Sequence, residues 1–281
     1  MDKMKQIEQK ERIKQECLAY VKQIMTEYGV PEDSKFYIEA KRHAENLYDV
    51  NLQVLIQLVE VPEEYYQKFF QLFFSSYLID SALDLERENA WNKPVYLFAG
   101  MKMVSEYFSW LKEKCSQDMV AVYEKYYQKQ LEYQVLERKW EMPIAYIQRF
   151  HSYEMYHQKQ LILLYPLLLL SQYGIEENRV TAIYQAFQLY YSIALAVDDY
   201  YDAKFDIENQ TLTPISAKYY LINGELPSVD SDLKEVLIET EKEICSLIKQ
   251  LQAVCKENDL DENVFLKTIK LFVDVENGKI K

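Results

Sequence analysis

Five glycines and seven prolines punctuate 281 residues. Strand-rich folds need frequent turns, and turns draw on glycine and proline. So sparse a supply predicts long helices and an all-α fold. Residues 3–28 carry apolar side chains at helical spacing (Ile7, Ile13, Cys17, Tyr20, Val21 and Ile24) and stop at Gly29 and Pro31. A second helix is predicted over 34–60. The next covers 62–87, with Pro62-Glu63-Glu64 as its first turn. Further helices are predicted over 95–113, 116–138, 143–173, 177–206, 214–222, 230–256 and 261–275. No repeat, low-complexity tract or linker divides the chain, so residues 1–281 are read as a single domain.

Residues 66–83 and 183–201 are apolar around the whole helical circumference, which predicts burial inside a large bundle. With 25 tyrosines and 12 phenylalanines, aromatic rings must fill much of that interior. Acids inside such helices then need an explanation. The sharpest case is Asp198-Asp199-Tyr200-Tyr201-Asp202, followed by Lys204 and Asp206. Asp198, Asp202 and Asp206 stand at i, i+4 and i+8, along one side of a helix. Carboxylates aligned at the end of a greasy helix repel one another and oppose its macrodipole. Cations relieve both costs. Hard oxygen donors favour Mg²⁺, which takes one or two carboxylates and completes its shell with water and phosphate. The bland alternative is a solvated helix end.

Asp80 and Asp84 repeat the arrangement, again at i, i+4 after an apolar run (Phe69, Phe70, Leu72, Phe73, Phe74). Alone this pair reads as structural; the repetition gives it weight. Lys159 stands beside the very apolar Leu161–Leu170 run. It reads either as a snorkelling lysine or as a cation for a phosphate oxygen. His151 and His157 read as packing or surface residues.

The formal net charge of −13 argues against nucleic acid and anionic membrane surfaces as partners. It does not argue against phosphorylated ligands bridged by metal. No Cys/His cluster has zinc spacing, and no P-loop or dinucleotide fingerprint is present. Cys17, Cys115, Cys245 and Cys255 form no C-x-x-C pair and read as free thiols. The polar start and the short, proline-interrupted Leu161–Leu170 run predict neither a signal peptide nor a transmembrane segment, and hence a cytoplasmic protein.

These motifs, in this order, resemble the class I isoprenoid synthase superfamily, the trans-prenyl diphosphate synthases and class I terpene synthases. Asp198-Asp199-Tyr200-Tyr201-Asp202 matches the second D-D-x-x-D motif, and Asp206 through Thr213-Pro214 looks like its continuation. Asp80-Ser81-Ala82-Leu83-Asp84 resembles a first motif with Ser81 in place of its second aspartate. Asn92-Lys93-Pro94 resembles Gly-Lys-Pro, and Ser105-Glu106-Tyr107-Phe108 resembles Gly-Asp-Tyr-Leu. Lys159-Gln160 falls where the family has Lys-Thr. The likeness covers roughly residues 65–220. The family's Gly-Gly-Lys-Arg segment is missing; Lys41-Arg42-His43 is the nearest basic cluster. Its arginine pair after the first motif is also missing, leaving Arg87 alone, and Ala194-Leu195 replace Phe-Gln.

The resemblance implies a helical bundle with a central active-site cavity and Mg²⁺ as cofactor. Asp80, Asp84, Asp198, Asp199, Asp202 and Asp206 would form the metal set, with Asp80, Asp84, Asp198 and Asp202 catalytic. Lys159, Lys204 and Arg87 would contact diphosphate. Phe73, Tyr77, Tyr190, Tyr191 and Leu195 would line the prenyl cavity. The implied reaction is ionisation of an allylic prenyl diphosphate with release of pyrophosphate. Loss of the isopentenyl diphosphate segment tilts this toward terpene-synthase chemistry. Chain elongation, prenyl transfer to a peptide or small acceptor, and a non-catalytic synthase subunit stay open. The family commonly forms homodimers, which the aromatic excess permits. A helical interaction module is the alternative outside enzymology.

Overall fold

The computed structural model describes residues 3–83, 92–275 and 279–281, with residues 3–7, 92 and 155–158 as backbone only. The described chain is almost entirely helical, as the scarcity of turn residues predicts. It groups into two compact units, Met1–Val120 and Ala121–Lys281.

The first unit contains α1 (Lys3–Glu27), α2 (Lys35–Leu47), α3 (Gln53–Leu58), α4 (Glu63–Leu83) and α5 (Asn92–Lys114). A stop at Gly29 ends α1: φ is +71°, and the Val30 N–H donates to the Met25 carbonyl at 3.0 Å. This is the left-handed cap that glycine adopts without a Cβ penalty. Ser34 caps α2 by accepting from the Tyr37 N–H at 3.2 Å. The helix predicted over 34–60 is interrupted by a π turn at Tyr48–Leu52 and ends at Leu58. Apolar all round, α4 buries Tyr65, Tyr66, Phe69, Phe70, Leu72 and Phe74. It runs antiparallel to α5, because Glu64 meets Trp110, Gln71 meets Met103 and Ser75 approaches Gly100. Gly100 sets the spacing: a Cβ there would stand 2.7 Å from Ile79 Cγ1 and 2.9 Å from the Ser75 carbonyl oxygen.

The second unit carries most of α6 (Gln117–Glu137), then α7 (Ile144–Ile147), α8 (Tyr153–Tyr156), α9 (Leu161–Leu168), α10 (Glu177–Glu208), α11 (Pro214–Asn223), α12 (Lys234–Glu257) and α13 (Glu262–Phe272). A short antiparallel ladder, β1 (Val273–Asp274) on β2 (Lys279–Ile280), follows. The single helix predicted over 143–173 is instead broken into α7, α8, α9 and two 3₁₀ turns. Pro166 removes one amide donor from the run. The decisive break lies earlier. Tyr153 opens α8, and its N–H, which has no partner within the helix, donates to Glu243 Oε1 of α12 at 2.6 Å.

The spine of this unit is α10, antiparallel to α12. Ala203 and Ile207 pack with Leu233, Val236 and Ile215 in one cluster, and Tyr200 reaches Glu241. By length and composition α10 could cross a bilayer, but 61% of its most apolar stretch is buried in the fold. Thr213 and Ser216 form a reciprocal cap that starts α11, with Pro214 in its first turn. The Thr213-Pro214 dipeptide therefore has a local helix-starting role.

Candidate functional site

The acidic end of α10 is split by helical geometry. At about 100° per residue, Asp198 and Asp202 lie roughly 40° apart, and both are exposed. Asp199 and Asp206 lie roughly 20° apart, seven residues on, at the edge of the buried strip. Asp199 is only 7% exposed and Asp206 is half-buried. Lys204 falls on the far side, about 160° from Asp202. The structure thus keeps Asp198 and Asp202 together and turns Lys204 away from them.

Asp199 accepts a hydrogen bond from the Tyr153 hydroxyl at 2.9 Å. Burial, reinforced by the charge of Asp206, holds the Asp199 carboxyl well above the usual carboxylate range, against the pull of Tyr153 and Lys159. Burial first, and then the charge of Asp199, likewise keeps the Tyr153 phenol well above its ordinary value. Asp199 therefore faces the packed interior.

Lys159 pairs with Glu137 at the end of α6, Nζ to Oε1 2.5 Å, with the two side chains 21% and 5% exposed. A second buried pair supports Tyr153 from behind. Lys218 Nζ donates to Glu243 Oε2 at 2.6 Å and to Thr240 Oγ1 at 3.3 Å, and it stands 5.1 Å from the Tyr153 ring centroid. One carboxylate, Glu243, thus holds both the Lys218 ammonium and the first amide of α8.

The family models, the curated proteins and the solved structures contain no match to this chain.

In the first unit, Asp80 is exposed at the C-terminal end of α4. Asp84 and Arg87 lie outside the described residues. Phe73 is buried and stacks on Phe69 at 4.7 Å. Tyr77 stacks on His43 of α2 at 4.2 Å, which places the basic Lys41-Arg42-His43 segment one turn from Asp80. In the second unit, Tyr191 packs on Phe187, and Tyr190 on Phe187 and Phe265. Leu195 is half-buried. These rings meet other side chains of the core.

Among the described residues no three His, Cys, Asp or Glu side chains are grouped to hold a metal ion. The donor set at α10 does not fit a protein cage. It does fit Mg²⁺ in its commoner mode, one or two carboxylates with phosphate and water completing the shell, because Asp198 and Asp202 share an exposed face one turn apart.

In the sequence Tyr153 stands only at the head of the Tyr153–Gln160 stretch that carries Lys159, and Glu137, Lys218 and Glu243 do not stand out. Glu243 and Lys218 sit in ordinary charged helices and carry no local signal. Glu137, beside the apolar Val135 and Leu136, is a weak one.

Proposed function

We propose that the chain is a Mg²⁺-dependent enzyme that ionises an allylic prenyl diphosphate and releases pyrophosphate, with the exposed face of Asp198 and Asp202 as the metal-bearing side. The observation that carries this reading is the division of the D-D-x-x-D segment. Two of its carboxylates are exposed on one face, while the third is buried and accepts from Tyr153. A row needed only for solvation would have no use for so deep an anchor.

Asp198 and Asp202 would hold the ion, which when bound supplies charge neutralisation at the leaving diphosphate. Tyr153 holds Asp199 on the inner side of α10, and Asp198 and Asp202 lie on its exposed face. Glu137 anchors Lys159 at the edge of the same helix end, where its charge acts on Asp199. The resemblance extends the acid set to Asp80, which Asp80→Ala tests on its own. Terpene-synthase-like quenching of the cation is preferred over elongation, because the isopentenyl diphosphate segment is missing from the sequence.

The second reading is a helical binding module without catalysis. Incubation with prenyl diphosphates of several chain lengths separates the two. Hydrocarbon, alcohol or elongated products that vanish in Asp198→Ala support the enzyme. No product from any chain length, with a melting temperature indifferent to Mg²⁺, supports the binding module.

A further inference from the structure

The C-terminal half of α6 is locally basic in an acidic chain. The whole chain carries a formal charge of −13. Residues 125–149 nevertheless hold five bases, Lys125, Lys129, Arg138, Lys139 and Arg149, against three acids. One of those acids, Glu137, is buried and spent on Lys159. Only Glu132 and Glu141 are left to offset the five bases.

Here α6 and the turn after α7 enclose a groove of about 430 Å³. Leu131, Val135 and Leu136 give it an apolar lining. Leu131 and Val135 stand one helical turn apart and are 45% and 56% exposed. Exposed apolar side chains grouped in this way mark a surface that something covers. Lys139 and Arg149 line the same groove, against the single acid Glu132. Neither cation makes a side-chain hydrogen bond or ion pair among the described residues.

Charge decides between the occupants such a groove could take. A second copy of this face would set like charge against like, because bases prevail on both sides. An anionic membrane is an extended plane and would meet the −13 of the whole chain. A short acidic helix meets only the charges within the Debye length, about 8 Å at physiological ionic strength, and there the bases prevail. By helical rise the groove runs about 16 Å from Gln128 to Lys139, the length of three helical turns.

We propose that this groove docks an acidic amphipathic helix of another protein. Its apolar stripe lies on Leu131, Val135 and Leu136, and its carboxylates meet Lys139 and Arg149. The site is independent of Asp198 and Asp202, and it serves an enzyme and a binding module alike.

The test is fluorescence anisotropy of a labelled synthetic peptide titrated with the whole chain in EDTA. The probe has about four helical turns, with leucine at i, i+3, i+4 and i+7 and glutamate on the other face. Saturable binding at one site is expected, weakening as salt is raised. The same peptide with lysine for glutamate, and a scramble that breaks the leucine spacing, should bind at least about tenfold more weakly. Lys139→Glu/Arg149→Glu should also cost about tenfold or more, as expected for lost charge-assisted contacts. Val135→Glu should weaken binding, and Lys256→Glu on α12 should leave it unchanged. All these positions are exposed, and circular dichroism melts of each variant should match the parent. Three results would overturn the site: no saturable binding of the acidic peptide, equal binding of the scramble, or equal affinity in the charge-reversed variant. A parent dimer that Val135→Glu dissociates would also overturn it, by giving the groove to a second copy. Binding confined to anionic phospholipid vesicles would do the same, by giving the bases to a lipid surface.

Discussion

Tyr153 donates its hydroxyl to Asp199 at 2.9 Å, and both side chains are buried. The bond joins the first residue of α8 to the D-D-x-x-D segment of α10, 46 residues apart in sequence. It gives the one buried aspartate of that segment a donor, while Asp198 and Asp202 stay exposed.

A carboxyl raised by burial gives a definite pH dependence. Asp199 titrates higher in the fold than in the unfolded chain. Its contribution to stability is therefore fully present below the ordinary carboxylate pKa of about 4, and is lost as pH rises through its raised folded value. Asp199→Asn keeps an acceptor for Tyr153 and removes the charge. In EDTA it should melt higher than the parent at neutral pH, by about 2–4 °C for each kcal/mol gained. The gain should shrink as pH falls toward 4. A gain that grows on acidification would contradict the buried-acid assignment. Tyr153→Phe should act in the opposite sense, costing about 1–3 kcal/mol by leaving the carboxyl without its donor.

The Glu137–Lys159 pair is the second anchor of this helix end. Removing one partner of a buried pair leaves an uncompensated charge, at a cost of about 3–5 kcal/mol, while replacing both is often close to neutral. Lys159→Met and Glu137→Gln should each lower the denaturant midpoint, and the double variant should recover much of the loss. Strictly additive losses in this cycle would show that the two side chains do not depend on each other.

In the first unit, Gly100→Ala should be destabilising even though alanine is the better helix former. The added methyl meets Ile79 Cγ1 and the Ser75 carbonyl. Relief requires α4 and α5 to separate, and overpacking of this kind costs about 1–3 kcal/mol. Urea unfolding should show an earlier midpoint at unchanged slope. A later midpoint would mean that the helices have room to spare.

Much of the helical layout is written in local signals. Gly29 stops α1 through its left-handed cap, and Thr213-Pro214 starts α11. These are contacts within a few residues, which a sequence displays. The break of 143–173 is not local, because the group that stabilises the start of α8 is Glu243, 90 residues away. The candidate site divides in the same manner. The i, i+4 spacing of Asp198 and Asp202 and their exposed face follow from helical register. So does the displacement of Lys204, which the same 100° rule turns to the other side. The sequence does not disclose that Asp199 finds a phenol inside, since Tyr153 is one of 25 tyrosines and nothing in its neighbours marks it.

Pyrophosphate release from farnesyl or geranylgeranyl diphosphate, with and without Mg²⁺, bears most directly on the exposed Asp198 and Asp202 face. Release by the parent chain should require the ion. It should be lost in Asp198→Asn/Asp202→Asn and retained in Lys234→Ala. Equal release with and without Mg²⁺, or full activity in the double aspartate variant, would contradict the assignment.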